Sequence, residues 1–337
     1  MTKPTRIPPK QATLPVLPEP LEAPAAARTA PGVRPLAPSQ PVMRFFGVPF
    51  LKGRAGEITA IHLCPERIHL AVIRDGRELD VSNRLTMRSL DLGGLASARM
   101  IAFRPGREGP STELAIAGAP PTPAIARFNL QAGRSLPGFA LPEVTALAYS
   151  GDGRFFAAGN RHGRLKVWLL GEGEPLAVQE GRFGAPVESL AFHGEHPTVY
   201  GTLASGALVQ VALAPSPAVD AGLALRKEVP GTRVRQVAAG RRGYSIYLAG
   251  RDDRVYVLDT ATGEVGLFSP NVGPIADLQV LPASGHLCVL GPRSVYLIHP
   301  VGPDQGEHLA LVCPFDDPLY AAWELDRDAV LVFHAAD

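Results

Sequence analysis

From residue 57 onward the chain is written in short bursts of alternating apolar and polar residues, the pattern of half-buried strands. Similar openings recur at Ile58-Thr-Ala-Ile61, Ala98-Arg-Met-Ile101, Val144-Thr-Ala-Leu147, Val187-Glu-Ser-Leu190, Val234-Arg-Gln-Val237 and Ile275-Ala-Asp-Leu278. A seventh, weaker one sits at Leu319-Tyr-Ala-Ala-Trp323. Turn signals follow several of them: Arg104-Pro-Gly106, Ser150-Gly-Asp-Gly153, Ala239-Gly-Arg-Arg-Gly243 and Pro282-Ala-Ser-Gly285. A second apolar strand, another tight turn and a third strand come next.

The openings are spaced by about 40 to 47 residues, the period of a four-stranded propeller blade. One small sheet cannot bury both of its faces. Stacking sheets around an axis covers each face with the neighbouring sheet and leaves only short edges. The expected fold is therefore all-β, a single β-propeller of about seven four-stranded blades spanning residues 43–337. Val144, Leu147 and Tyr149 are expected to pack between blades, with small Ala146 and Ala148 where the innermost strand is crowded. The last blade is expected to draw strands from both chain ends: Leu319–Trp323, Ala329–Phe333 and, from the other end, residues 43–52.

Two stretches carry a family resemblance. Val144-Thr-Ala-Leu-Ala-Tyr-Ser-Gly-Asp-Gly-Arg-Phe-Phe-Ala-Ala-Gly-Asn-Arg-His-Gly-Arg-Leu-Lys-Val-Trp168 resembles a WD repeat almost end to end. Tyr247 to Glu264 resembles the second half of another, with Leu258-Asp259 in the place of the Trp-Asp signature. The remaining blades match in rhythm only. Gly138-Phe139 stands where the family has Gly-His, His162 where it has a turn Asp, and Ala158 where it has a polar strand residue. The resemblance thus implies a degenerate propeller in which Trp168 is an apolar packing element, while Asp252 or Asp253 holds the turn of the later blade.

Residues 1–42 differ in kind: no aromatic residue and a proline at about every fourth position. Such a segment has too little apolar mass to offset the entropy of ordering, so a disordered arm is expected, a spacer or a docking arm. Its prolines interrupt any apolar run from Pro4 onward, unlike a signal peptide. The whole chain has 33 basic and 32 acidic residues, so no global field attracts nucleic acid or anionic lipid. Three scattered cysteines, Cys64, Cys288 and Cys313, fit a reducing compartment better than a disulfide framework. No stretch approaches the ~20 apolar residues of a membrane span. A cytoplasmic protein is expected, and the heavy use of Ala, Arg and Pro points to a bacterial source.

The sequence contains no H-E-x-x-H, G-x-S-x-G, G-x-x-x-x-G-K or G-x-G-x-x-G motif. Gly151-Asp-Gly153 reads as a hairpin turn. His193, Glu195 and His196 read as surface turn residues in preference to metal ligands, since no third convergent ligand is visible. His62 reads as a core or channel residue. Propellers that are enzymes, such as lactonases, line their channel with converging carboxylates and histidines. Here the second residues of the openings are Thr59, Arg99, Thr145, Glu188, Arg235 and Ala276, a set poor in carboxylates. A hydrolase-like site in the channel is thus the alternative to the main expectation: a non-catalytic protein-interaction scaffold or subunit of an assembly, with no cofactor and no metal.

In this fold the turn before the innermost strand and the turn between the second and third strands share one face. These turns carry Arg74, Glu143, Arg161, His162, Arg233, Arg251, Asp252, Arg254 and Arg293. Arginine forms bidentate contacts with carboxylates and is enriched at interface hot spots. The set marks this face for an acidic surface on a protein partner; nucleic acid and membrane are not expected, and the oligomeric state is open.

Overall fold

The structure is a computed structural model of the 337-residue chain. It describes residues 44–45 and 57–334, except 66–67, 84–85, 87, 93–96, 107–112, 119–123, 172–173, 195–196, 214–223, 228–231, 240–244, 270–271, 282–284, 293, 299–312, 315–318 and 327–328. The expectations for the arm at 1–42 and for most of 43–52 lie outside these residues.

Every described element is a strand or a turn, and no helix among the described residues is long and apolar enough to cross a membrane. Six four-stranded sheets follow one another along the chain, each in simple up-and-down order. Their first strands are Ile58–Leu63, Met100–Arg104, Val144–Tyr149, Val187–Phe192, Val234–Ala239 and Asp277–Val280. We number these sheets blades 1 to 6. First strands of successive blades pack against one another, which makes them the innermost. Blade openings read from the sequence thus mark the innermost strands.

The burial pattern follows from this stacking. The second strand of each blade has a neighbouring blade over both faces, so His69–Arg74, Glu113–Ala117 and Thr198–Leu203 are buried at every position. Outermost strands are covered least: Leu176–Arg182 has no fully buried residue, and Leu176 is 53% exposed. The core consequently lies between blades, in one apolar cluster per junction. Val144, Leu147 and Tyr149 turn towards blade 2, where they and Phe156 of their own blade meet Ala115, Ile125 and Phe139. Ala146 and Ala148 turn the other way, towards Val187, Leu190 and Val199 of blade 4.

Trp168 is an apolar packing element. It is 4% exposed and leans on Phe139 and Phe156, whose rings stack at 4.2 Å and 12°. Phe139 and Phe156 thus give Trp168 an aromatic stack to pack on.

The terminal sheet departs from expectation. It has three strands: Leu319–Asp326, Ala329–His334 and, from the other end of the chain, Arg44–Phe45. Leu319–Asp326 packs against the innermost strand of blade 1 and the second strand of blade 6. Arg44 and Phe45 pair with Leu331 and Val332 in parallel, whereas every other ladder between named strands is antiparallel. The expectation of about seven four-stranded blades is therefore corrected to six and a three-stranded sheet. Its third strand comes from a distant segment, so no tight turn dictates its direction.

Candidate functional site: the turn-bearing face

One repeated hydrogen bond builds the face. The first residue of the turn between strands two and three donates its N–H to the carbonyl of the segment entering the innermost strand. Asp75 donates to Glu57 (2.7 Å), Arg161 to Glu143 (3.1 Å), Ala204 to Pro186 (2.8 Å) and Arg251 to Arg233 (2.8 Å). The two turns of a blade therefore lie side by side. A second bond joins blades: the same turn accepts the N–H of the chain entering the next one. Ala98 donates to Arg77, Phe183 to Gly163, Val234 to Gly206 and Val272 to Asp253. Close approach is part of this design. Gly206 sits at φ 89°, and a Cβ there would lie 2.4 Å from the Cβ of Arg233.

In blade 3 the Glu143 carboxylate gathers Arg161 and His162. Arg161 reaches it at 2.6 Å and the His162 imidazole contacts its other oxygen. Glu143 itself has a left-handed backbone, φ 56°, uncommon for a residue with a Cβ. The turn is held by Asn160, whose Oδ1 accepts the N–H groups of His162 and Arg164 while its Nδ2 donates to Pro142. Asn160 was missed as a functional residue, although an Asn three residues before Gly163 is a turn signal.

Blades 4 and 5 form a second cluster. Nη2 of Arg251 donates to both carboxylate oxygens of Glu188, at 2.8 and 2.9 Å, across the blade junction. Asp252 holds the turn of blade 5, as the resemblance implied. Tyr256 donates its hydroxyl to Oδ2 at 2.6 Å, and Thr232 and two backbone N–H groups add further bonds. Partial burial pushes the Asp252 carboxyl pKa up, but these four donors outweigh it and hold the pKa below the ordinary value. Asp253 adopts φ 59° and lies 3.8 Å from Arg235. Arg233 and Arg254 are exposed, and neither has an ion-pair or hydrogen-bond partner for its guanidinium among the described residues.

Two rim expectations need comment. Arg74 is 4% exposed, so it is a buried strand residue and not a rim residue. The second strand of blade 1 runs through it, and the turn begins only at Asp75, where φ becomes positive. Arg293 lies outside the described residues.

Four of the six second residues are engaged in side-chain hydrogen bonds. Thr59 donates to Ile73, Thr145 to Val187 of the next blade, Arg235 to Ile275 of the next blade, and Glu188 holds Arg251. His193 is 5% exposed with its ring beside Tyr200, which corrects its reading as a surface residue; Glu195 and His196 lie outside the described residues. Desolvation lowers the pKa of His62, an effect opposed by the Asp277 carboxylate. Burial, with Asp277 nearby, pushes the Cys288 thiol up, so it is no nucleophile at neutral pH. The described residues hold no group of three or more His, Cys, Asp or Glu placed to share a metal ion.

No protein-family model matches this chain, and no curated protein matches it in sequence. Among 1728 matching chains of solved structure is the β-propeller domain of Cps50 (Swd1) from Myceliophteria thermophila. It superposes with a TM-score of 0.54 at 13% identity, over 71% of this chain and 81% of that one. A likeness so widely shared, at such low identity, establishes the β-propeller fold and leaves function to the residues of the face.

Proposed function

We propose that this chain is a non-catalytic adaptor, a degenerate WD-repeat propeller that holds protein partners within a cytoplasmic assembly. One observation supports the reading above others: the turn-bearing face is stitched at four blade junctions, yet carries guanidinium groups with no partner among the described residues. Rigid presentation of unspent arginines favours docking over turnover, because a preformed face gives up little entropy when it binds. The residues best placed for channel chemistry are already engaged: Thr145, Arg235 and Glu188 bond to neighbouring blades.

The test is capture of the full-length tagged chain from its native host after brief cross-linking. A stoichiometric partner whose cross-links map to the entry turns and to the turns between strands two and three is the expected result. Cross-links confined to the opposite face, or no stoichiometric partner at all, would overturn the assignment.

A further inference from the structure

The geometry points to a carboxylate-binding subsite in the groove between the two turns of blade 5, fitted to an acidic segment of a protein partner. This inference rests on the adaptor reading and narrows it to one place. Thr232, Arg233, Arg251 and Asp252 line a shallow groove of about 420 Å³. Two of these four carry guanidinium groups, and Arg254 follows in the same turn.

The state of each charge decides what the groove can take. Asp252 directs its oxygens to Tyr256, Thr232 and backbone N–H groups and makes no hydrogen bond or ion pair with the guanidinium of Arg233 or Arg254 among the described residues. Arg251 spends only its Nη2 on Glu188 and remains 45% exposed. Arg233 and Arg254 are exposed, and neither guanidinium has a partner among the described residues. The arrangement contrasts with blade 3 on the same face, where Glu143 already occupies Arg161 and His162. Exposed arginines also stand at the junction of blades 1 and 2 (Arg77 and Arg99), but at blade 5 they line a groove.

The ligand class follows from shape and from the neighbouring acids. A planar carboxylate accepts two parallel N–H bonds from a guanidinium fork, which gives orientation as well as charge. A shallow, open groove buries too little of a small anion to hold it alone, so the carboxylate must arrive on a larger body. A continuous polyphosphate chain would run over Glu188, Asp252 and Asp253, which interrupt the positive potential. Discrete carboxylates spaced along an extended peptide avoid them.

The experiment uses the full chain and a fluorescein-labelled hexaglutamate peptide, read by anisotropy at low salt, with labelled hexathymidylate as the competing polyanion. The expected result is binding of the peptide in preference to the oligonucleotide. Arg233→Ala and Arg254→Ala should each weaken it about five-fold, and the pair about 25-fold. Arg77→Ala with Arg99→Ala, exposed arginines at the junction of blades 1 and 2, should change it less than about two-fold. Equal loss from both pairs would show diffuse surface attraction and overturn the subsite, as would tighter binding of hexathymidylate or no peptide binding. A native partner captured equally by wild type and by the Arg233→Ala/Arg254→Ala variant would remove the subsite and leave the adaptor reading standing.

Discussion

Two blade junctions solve the same problem with opposite economies. Between blades 2 and 3, Glu113 lies 2% exposed and is surrounded by donors. Arg127 forks onto it at 2.6 and 2.8 Å, Arg104 reaches it at 3.1 Å, and Tyr149 of the next blade donates its hydroxyl at 2.8 Å. Arg127 also donates to Pro137 and stacks over Phe139, while Arg104 reaches the Gly153 carbonyl of blade 3. Between blades 4 and 5 the ionic link is Glu188–Arg251, 31% and 45% exposed. The first link is sealed and fully bonded. The second is wet, and a partner's carboxylate can compete for it. The difference separates a charge pair that fixes the ring from one left available to a ligand.

The largest effect comes from breaking the sealed network. Glu113→Ala leaves the 4% exposed Arg127 guanidinium buried without its carboxylate, and should cost about 3–5 kcal/mol in denaturant unfolding. Replacing both partners, Glu113→Leu with Arg127→Met, should recover most of that loss, because no charge is then stranded. If the single and double variants are equally unstable, the network is more than a compensated charge pair.

Acid should expose the same contrast. Burial pushes the Glu113 carboxyl pKa up. The hydrogen bond and charge of Arg127, the Tyr149 hydroxyl and the Arg104 charge outweigh that push and hold it below the ordinary value. A depressed folded-state pKa adds stability that is present in full above the unfolded value of about 4.3 and is lost as pH falls through the folded one. Wild type should therefore lose melting temperature below about pH 4.3 more steeply than Glu113→Gln. Parallel curves from pH 7 to pH 3 would show that Glu113 carries no part of the acid response.

Packing at the junction of blades 3 and 4 gives the next smaller effect. A Cβ on Gly159 would sit 2.4 Å from Cγ1 of Val187, a residue with no exposed surface. Gly159→Ala should cost about 1–3 kcal/mol, and Val187→Ala in the same chain should offset part of it. Additive losses in the double variant would mean that the clash is relieved elsewhere.

Much of this architecture was legible because its cause is local. A blade period is written in apolar openings and turn residues, and the apolar neighbours Phe139 and Ala158 were consistent with an apolar role for Trp168. The two sealing charges were not legible: Glu113 opens one strand and Arg127 sits diagonally across from it on the next, a meeting fixed by register and not by any motif. Arg74 misled for a related reason. Its strand runs one residue further than the turn signal implied, which takes the side chain from the rim into the interior. On the face, sequence supplied the arginines but not their state, since only the fold shows that Arg161 is already spent on Glu143 and Arg233 is not. Glu188, absent from the expected rim set, reaches it because innermost strands deliver their second residues to the mouths of the turns.

The smallest effect is the sharpest test of the comparison. Arg251 and Glu188 are exposed enough for water and salt to screen them, so a double-mutant cycle of Glu188→Ala and Arg251→Ala should give a coupling of about 0.2–1 kcal/mol. That coupling should shrink further in high salt. A value near the cost of Glu113→Ala would mean that this pair also fixes the ring and is not free to be exchanged. A small coupling, with Glu188→Ala strengthening the binding of hexaglutamate, has the opposite meaning. Removing the internal carboxylate then frees an arginine for an external one, and the same chemistry that closes one junction opens the other to a partner.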